Sequence, residues 1–251
     1  MVQGPAAPPG LSFARCRVPQ IATRPPRRLP RHIPRPEPGR TGHPRPSRPN
    51  SPMAKLYFHY STMNAGKSTV LLQASHNYVE RGMRTYLLTA RLDTRAGEGR
   101  IASRIGIGTP ADTFAPEDDL FARLRERLQE GPCACVFVDE AQFLTRGQVW
   151  QLARAVDDLK VPIMCYGLRV DFLGELFEGS AALLALADEM REVRTICHCG
   201  KKATMVVRRG PDGKALREGA QVQVGGNETY ASLCRRHWRE EMEEPPADAN
   251  A

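Results

Sequence analysis

The sequence predicts an α/β fold, a mostly parallel sheet flanked by helices, followed by a small metal-binding module. Three observations carry this. Short β-rich apolar runs alternate with segments of helical periodicity. Two of those runs end in motifs that place charged side chains at the carboxyl edge of a sheet. Near the C-terminus, four soft ligands fall in two knuckles on a polar stretch.

Lys55-Leu-Tyr-Phe-His-Tyr60 reads as the first strand. It runs straight into Ser61-Thr-Met-Asn-Ala-Gly-Lys-Ser-Thr69. Val70, Leu71, Ala74, Tyr78 and Val79 follow at helical spacing, up to Gly82. Strand, loop, Gly-Lys-Ser and helix is the context of a phosphate-binding P-loop. Gly66 lets backbone N–H groups approach an anion, and the helix dipole favours negative charge there. Lys67 is expected to reach the β- and γ-phosphates, and Ser68 to ligate Mg²⁺. The loop departs from the usual pattern in starting with Ser61 rather than glycine.

Cys133 to Val138 is a short continuous apolar run, as for a buried parallel strand. It ends in Asp139-Glu140-Ala141-Gln142. An acid after such a strand completes a P-loop site, so Asp139 is expected to bind Mg²⁺, directly or through water. Glu140, one residue on, is expected to face the acceptor and take its proton. Between the two motifs, Thr85 to Leu88 reads as another strand, with Asp93 and Arg95 just beyond its end. Arg95 could clamp a transferring phosphoryl group and Asp93 could help hold metal; spacing alone leaves a solvated loop open. Helices are expected over Glu117–Glu130 and Arg146–Leu159, and a strand over Val161–Tyr166. Helices on both faces of the sheet follow.

Cys197-His-Cys199 and Cys234-Arg-Arg-His237 form the two knuckles. Four protein ligands suit tetrahedral Zn²⁺ and leave no open position, so the site is structural. His198 is a competing ligand. Between the knuckles, Lys202 to Arg209, a turn at Gly210–Gly213 and Gln221 to Val224 read as a hairpin. It leads to Gly225-Gly-Asn-Glu-Thr-Tyr230, which suits a flap closing over a flat ligand.

Charge and proline divide the chain. Residues 1–52 hold ten Arg, one Glu and 14 of the 21 Pro, so they carry +9 of a total of +8. The rest is close to neutral and offers no electrostatic footprint for nucleic acid. The basic extension is expected to be disordered. It reads as a transit peptide, as a basic arm, or as a start assigned too far upstream of Met53, the reading preferred. No apolar run approaches the ~20 residues of a membrane span. The expected domains are 1–52, extension; 53–193, P-loop domain; 194–240, zinc-binding module; and 241–251, disordered tail.

Taken together, the ordered motifs closely resemble the type II, cytosolic-type thymidine kinases in their bacterial branch. The residues that carry this are Met63–Thr69, Leu92–Arg95, Val138–Leu144, Tyr166–Phe172, Gly174–Phe177 and Gly225–Tyr230 with Cys234-x-x-His237. The resemblance implies a P-loop kinase fold with a zinc-binding domain and a lasso loop. It implies transfer of the γ-phosphoryl of ATP to the 5′-hydroxyl of thymidine, giving dTMP. It places ATP on Ser61, Thr62, Met63, Asn64, Ala65, Gly66, Lys67 and Ser68, with Asp93, Asp139 and Gln142 beside it. Glu140 becomes the general base, with Lys67 and Arg95 neutralising charge. The thymine is held by the lasso backbone and walled by Met63, Phe143, Phe172, Phe177 and Tyr230. Structural zinc falls to Cys197, Cys199, Cys234 and His237. A cytoplasmic dimer or tetramer, inhibited by dTTP, with no membrane or nucleic-acid partner, is also implied. Ala141 stands where relatives often carry Cys, with no loss of chemistry expected. The competing classes are a nucleic-acid-stimulated ATPase with a zinc ribbon and a non-catalytic P-loop regulator.

Overall fold

The computed structural model describes residues 53–95, 97–222 and 229–243. Tyr57, Phe58 and Tyr60 favour extended backbone, and β1 (Leu56–Ser61) forms there. It feeds α1 (Lys67–Val79) and then β2 (Thr85–Ala90). A small hairpin follows, β3 (Arg100–Ala102) against β4 (Gly108–Pro110), and then β5 (Asp112–Phe114). Next come α2 (Leu120–Gln129), β6 (Cys135–Val138), α3 (Arg146–Leu159), β7 (Ile163–Leu168), α4 (Glu178–Leu186) and β8 (Glu189–Glu192).

Six of these strands make one sheet in the order β5-β2-β6-β7-β1-β8, and every neighbouring pair is parallel. The chain leaves β1 for β2, returns through β6, and places β7 in the gap beside β1. That crossing leaves a crevice at the carboxyl ends of β1, β2 and β6. Side chains alternate across the sheet. Val136 and Val138 of β6 pack with α2, α3 and α4, whereas Cys135 and Phe137 face the core built from Leu71 and Leu72 of α1. Helices therefore cover both faces, as expected.

Local chemistry sets the boundaries. α3 starts at the expected residue because Thr145 and Gln148 form a reciprocal capping box. α2 starts three residues later than expected. Asp119 takes the N-cap, accepting the Ala122 N–H at 3.0 Å, and Asp118 closes a turn on the Ala115 N–H. β7 begins after Pro162, which has no N–H to give, and runs through Gly167 to Leu168.

The C-terminal segment has its own small core of Cys197, Ala203, Val207, Leu233 and Cys234. Here β9 (Thr195–Ile196) pairs with β10 (Lys202–Ala203), and β11 (Met205–Arg208) pairs antiparallel with β12 (Tyr230–Leu233). The expected hairpin from Lys202–Arg209 to Gln221–Val224 is not what forms. β11 is buried along its length and takes Tyr230–Leu233, which carries Cys234 to the first knuckle. Gln221 instead donates to Asp171 at 2.9 Å, and Gln223 and Val224 lie outside the described residues. α5 (Arg235–Met242) runs two residues past the expected boundary at 240, with Glu241 gripped at both oxygens by Arg209, 2.8 Å each.

Gly179 of α4 lies against the turn after β6. A Cβ there would meet the carbonyl oxygens of Ala141 at 2.6 Å and Leu144 at 2.7 Å. Gly179→Ala is expected to cost about 3 kcal/mol in urea unfolding, because backbone cannot yield cheaply. Gly147→Ala, in α3 where a Cβ would meet the Thr145 hydroxyl oxygen at an ordinary contact distance of 3.8 Å, is expected to be neutral or slightly stabilising. Equal unfolding midpoints for the two variants would contradict this packing.

Candidate active site

The loop between β1 and α1 wraps through two left-handed residues, Asn64 (φ 61°) and Gly66 (φ 79°). At Gly66 the conformation rather than crowding demands glycine, since its nearest neighbour is 3.9 Å from a Cβ position. Lys67 opens α1 and is buried, its ammonium donating to the Thr62 carbonyl at 2.8 Å. Burial lowers its pKa, and the nearby Glu140 and Asp139 oppose that shift.

At the end of β6 the chain turns sharply into a 3-10 turn, Ala141–Phe143. Glu140 makes the turn with a left-handed backbone (φ 51°), uncommon for a residue with a side chain. Asp139 is buried, and its Oδ1 has no hydrogen-bond partner. Burial pushes its carboxyl up to about 7, Glu140 pushes the same way, and the Ser68 hydroxyl opposes. An orphaned carboxylate oxygen beside a serine hydroxyl fits a hard divalent cation.

Arg95 ties these elements together. It grips Asp93 at 2.6 and 3.0 Å and reaches Glu140 at 2.5 Å. Those bonds, led by Asp93, raise its already high pKa and keep it charged. The other Glu140 oxygen accepts from Gln142 at 2.5 Å.

Two cavities adjoin here. The larger, ≈ 420 Å³, is lined by Met63–Thr69, by Asp93, Arg95, Asp139 and Glu140, and by the β3–β4 hairpin. The second is a narrow slot walled by Met63, Phe143, Phe172, Phe177 and Tyr230. Met63, Asp93, Arg95, Glu140 and Leu168 line both. The five expected base-wall residues thus come together in one slot. Asn64, Ala65, Gly66, Lys67 and Ser68 share the larger cleft with the acids. Ser61 and Thr62 do not line it. The Ser61 hydroxyl donates to the Val193 carbonyl, and Thr62 holds Lys67. Gln142 lines the slot rather than the cleft, anchored by the Leu168 N–H at 3.0 Å.

Sequence reading assigned no role to several residues that shape the slot. Asp171 accepts from the backbone of Leu173 and Glu175 and from Gln221, each at 2.9 Å. Its Asp-x-x-Gly turn pattern was the available signal. Arg208 lies buried with its guanidinium 3.8 Å from the centre of the Phe172 ring. An arginine between two β-branched valines and a turn carries no such signal.

Cys197, Cys199, Cys234 and His237 bring their ligand atoms within 4.8 Å of one another. The His237 Nδ1 lies 3.2 Å from Cys197 Sγ and 3.6 Å from Cys234 Sγ, and Cys199 Sγ lies 3.9 Å from Cys234 Sγ. Zn–S bonds of about 2.3 Å give tetrahedral edges of about 3.8 Å, so this donor set fits zinc. Burial pushes the Cys197 thiol up, but the Cys199 backbone and the His237 ring outweigh it and bring it down to about 6. His198 stacks on the His237 ring, 4.3 Å between centres, outside the ligand set.

A family model described as thymidine kinase matches residues 54–238. The chain belongs to the thymidine kinase family. A protein of Jannaschia sp. (strain CCS1) named thymidine kinase is 75% identical over 194 residues, covering 77% of this chain and all of that one. One of Rhizobium meliloti (strain 1021), with the same name, is 66% identical over 195 residues, 76% of this chain and 100% of its own. A third, of Rhodopirellula baltica, is 56% identical over 204 residues, 79% of this chain and 97% of its own. Family membership displaces the ATPase and regulator readings that the acid motif alone left open.

Metal analysis of the purified chain is expected to find stoichiometric zinc. Cys234→Ala is expected to lose it and to melt at lower temperature, because metal-binding free energy in so small a core is folding free energy. Zinc retained in that variant, or unchanged melting after chelation, would contradict the assignment.

Proposed function

We propose that the chain is an ATP:thymidine 5′-phosphotransferase that makes dTMP for nucleotide salvage and DNA synthesis. The observation that carries this is the pair of adjoining cavities with Glu140 on their common wall. A nucleoside in the slot and a triphosphate in the cleft would meet at that carboxylate.

In this reading Glu140 orients the 5′-hydroxyl and takes its proton as the oxygen attacks. Each of its oxygens already accepts one bond, from Arg95 or Gln142, and keeps a second lone pair for the hydroxyl. Lys67 and Arg95 neutralise charge on the transferring phosphoryl group. Asp139 and Ser68 would hold Mg²⁺ brought in with ATP, which supplies further charge neutralisation. Phe172, Phe177, Phe143, Tyr230 and Met63 form the walls of a slot suited to a flat pyrimidine, and their fixed positions bring the sugar to Glu140. Zinc on Cys197, Cys199, Cys234 and His237 would staple the loop that closes this slot.

The same geometry supports inhibition by dTTP, whose base would occupy the slot while its phosphates lie in the cleft. Residues 53–193 would act as the kinase domain and 194–240 as the zinc-stapled lasso module. Among the described residues no helix is long and apolar enough to cross a membrane. A cytoplasmic location and a dimeric or tetrameric assembly complete the proposal.

The test is the full chain with Mg-ATP and each of the four natural deoxynucleosides, monophosphate being read by chromatography. Thymidine, with or without deoxyuridine, is the expected acceptor; no product from any nucleoside would discard the kinase reading. Glu140→Gln is expected to lower kcat by ~10²-fold or more, the usual contribution of a general base, with little change in ATP binding. A wild-type rate in that variant would remove Glu140 from the chemistry.

A further inference from the structure

The chain between β11 and β12 makes a detour that ends on the slot. It turns at Gly210–Gly213, and the Leu216 N–H returns to the Arg208 carbonyl at 2.7 Å. It then passes over the side chain of Arg208 at Gly219 and Ala220, and Gln221 and Val222 reach the slot wall. Arg208 itself ends β11 and pairs with Tyr230 of β12, another wall residue. Val206, two residues back on the same face of the strand, lines the slot as well.

Arg208 is buried, although the segment that crosses it is exposed. Its Nη1 donates to the Ala220 carbonyl at 2.8 Å. Its guanidinium lies over the Phe172 ring, 3.8 Å from the centre, so that ring cannot swing away from the slot on this side. A Cβ on Gly219 (φ 127°) would overlap Nη2, so glycine lets the backbone cross at this height. The Arg208 Nε is shielded from solvent and has no hydrogen-bond partner. Burying a guanidinium against one carbonyl and one ring is costly, and an apolar side chain of like volume would fill the space at less cost. The arrangement is therefore poor as a source of stability and good as a device for placement. One residue along, Gln221 donates to Asp171 at 2.9 Å. Two neighbouring ties thus knit residues 171–172 to residues 220–221.

We propose that Arg208 is a positioning residue for the nucleoside. It latches the 219–222 segment to the Phe172 ring and so fixes the width of the slot without touching what enters it. The inference rests on the kinase reading and names a residue that sets nucleoside affinity in it. The guanidinium suits the task because its flat face stacks on the ring while its edge donates to the loop. An ammonium has no such face.

The experiment compares the full wild-type chain with Arg208→Met, Arg208→Lys and Gly219→Ala. Steady-state dTMP formation, thermal melting and zinc content are measured for each. Arg208→Met is expected to raise the thymidine KM about tenfold, the size of one buried cation–π contact and one charge-assisted hydrogen bond. Its kcat and Mg-ATP KM should change by less than about twofold, since the loss is of binding shared by ground and transition states. Its melting temperature should be unchanged or higher, because Met fills the space and the exposed Ala220 regains water. Arg208→Lys should recover little of the thymidine affinity. Gly219→Ala, on the exposed segment, leaves the small core intact and should raise the thymidine KM in the same selective way. A wild-type thymidine KM in Arg208→Met would overturn the latch, and should that variant fail to fold, a wild-type value in Gly219→Ala would do so. Equal rises in the thymidine and Mg-ATP KM, with lower melting or lost zinc, would overturn it too, as the mark of general unfolding. If the wild-type chain phosphorylates no deoxynucleoside, the kinase reading falls. Calorimetric binding of thymidine to wild type and Arg208→Met then decides the latch by the same tenfold ratio.

Discussion

Consecutive residues of a strand point to opposite faces, so a straight β6 would send Asp139 and Glu140 apart. The left-handed turn at Glu140 brings both carboxylates to the crevice instead. Such a conformation costs on the order of 1–3 kcal/mol and persists only where its surroundings over-determine it. Ala141 is fully buried, and Gly167 and Gly179 let two neighbouring segments close on the turn. Gln142 then clamps it from inside, donating to Glu140 and accepting from Leu168. The acids owe their position to this packing more than to the strand that precedes them.

The C-terminal module depends on a different source of order. Its core is a handful of residues, too few to fix a loop on apolar burial alone. Zinc on three thiolates and one imidazole would make up the deficit. The module is then tied to the larger domain by single polar contacts. Trp238 Nε1 donates to the Phe172 carbonyl at 3.1 Å, Arg169 donates to the Thr204 carbonyl at 3.1 Å, and Gln221 bonds Asp171. Two of these three end on the segment that forms the slot wall, so a metal held in the module would steady the slot without touching what enters it.

Where a residue's job is local, the sequence announces it. Thr145 and Gln148 declare the start of α3, Pro162 delays β7, and the glycine before Lys67 marks the turn into α1. The five slot residues and the four members of the Cys/His cluster came together as expected, because motif spacing and family likeness named them together. Pairing between distant segments was not legible. Nothing in Lys202–Arg209 says that its partner is Tyr230–Leu233 rather than the nearer Gln221–Val224, because register is settled by what the far strand must carry. The short β3 and β4 strands have too few residues for a period to show. Ser61 and Thr62 matched a loop pattern, but their groups hold the protein together rather than facing the cleft.

Ser232 of β12 donates its hydroxyl to the Met63 carbonyl at 2.7 Å, a bond between the stapled module and the P-loop. Met63 lines both cavities, so one residue is wall to both and anchor to a third element. In the proposed reaction, binding in either cavity would therefore order part of the other. Linkage makes that effect reciprocal: whatever affinity the nucleotide lends the nucleoside, the nucleoside returns in equal measure. Substrates that meet along such a common wall would need no moving relay to sense one another, since the loop that would grip one also frames the cavity of the other.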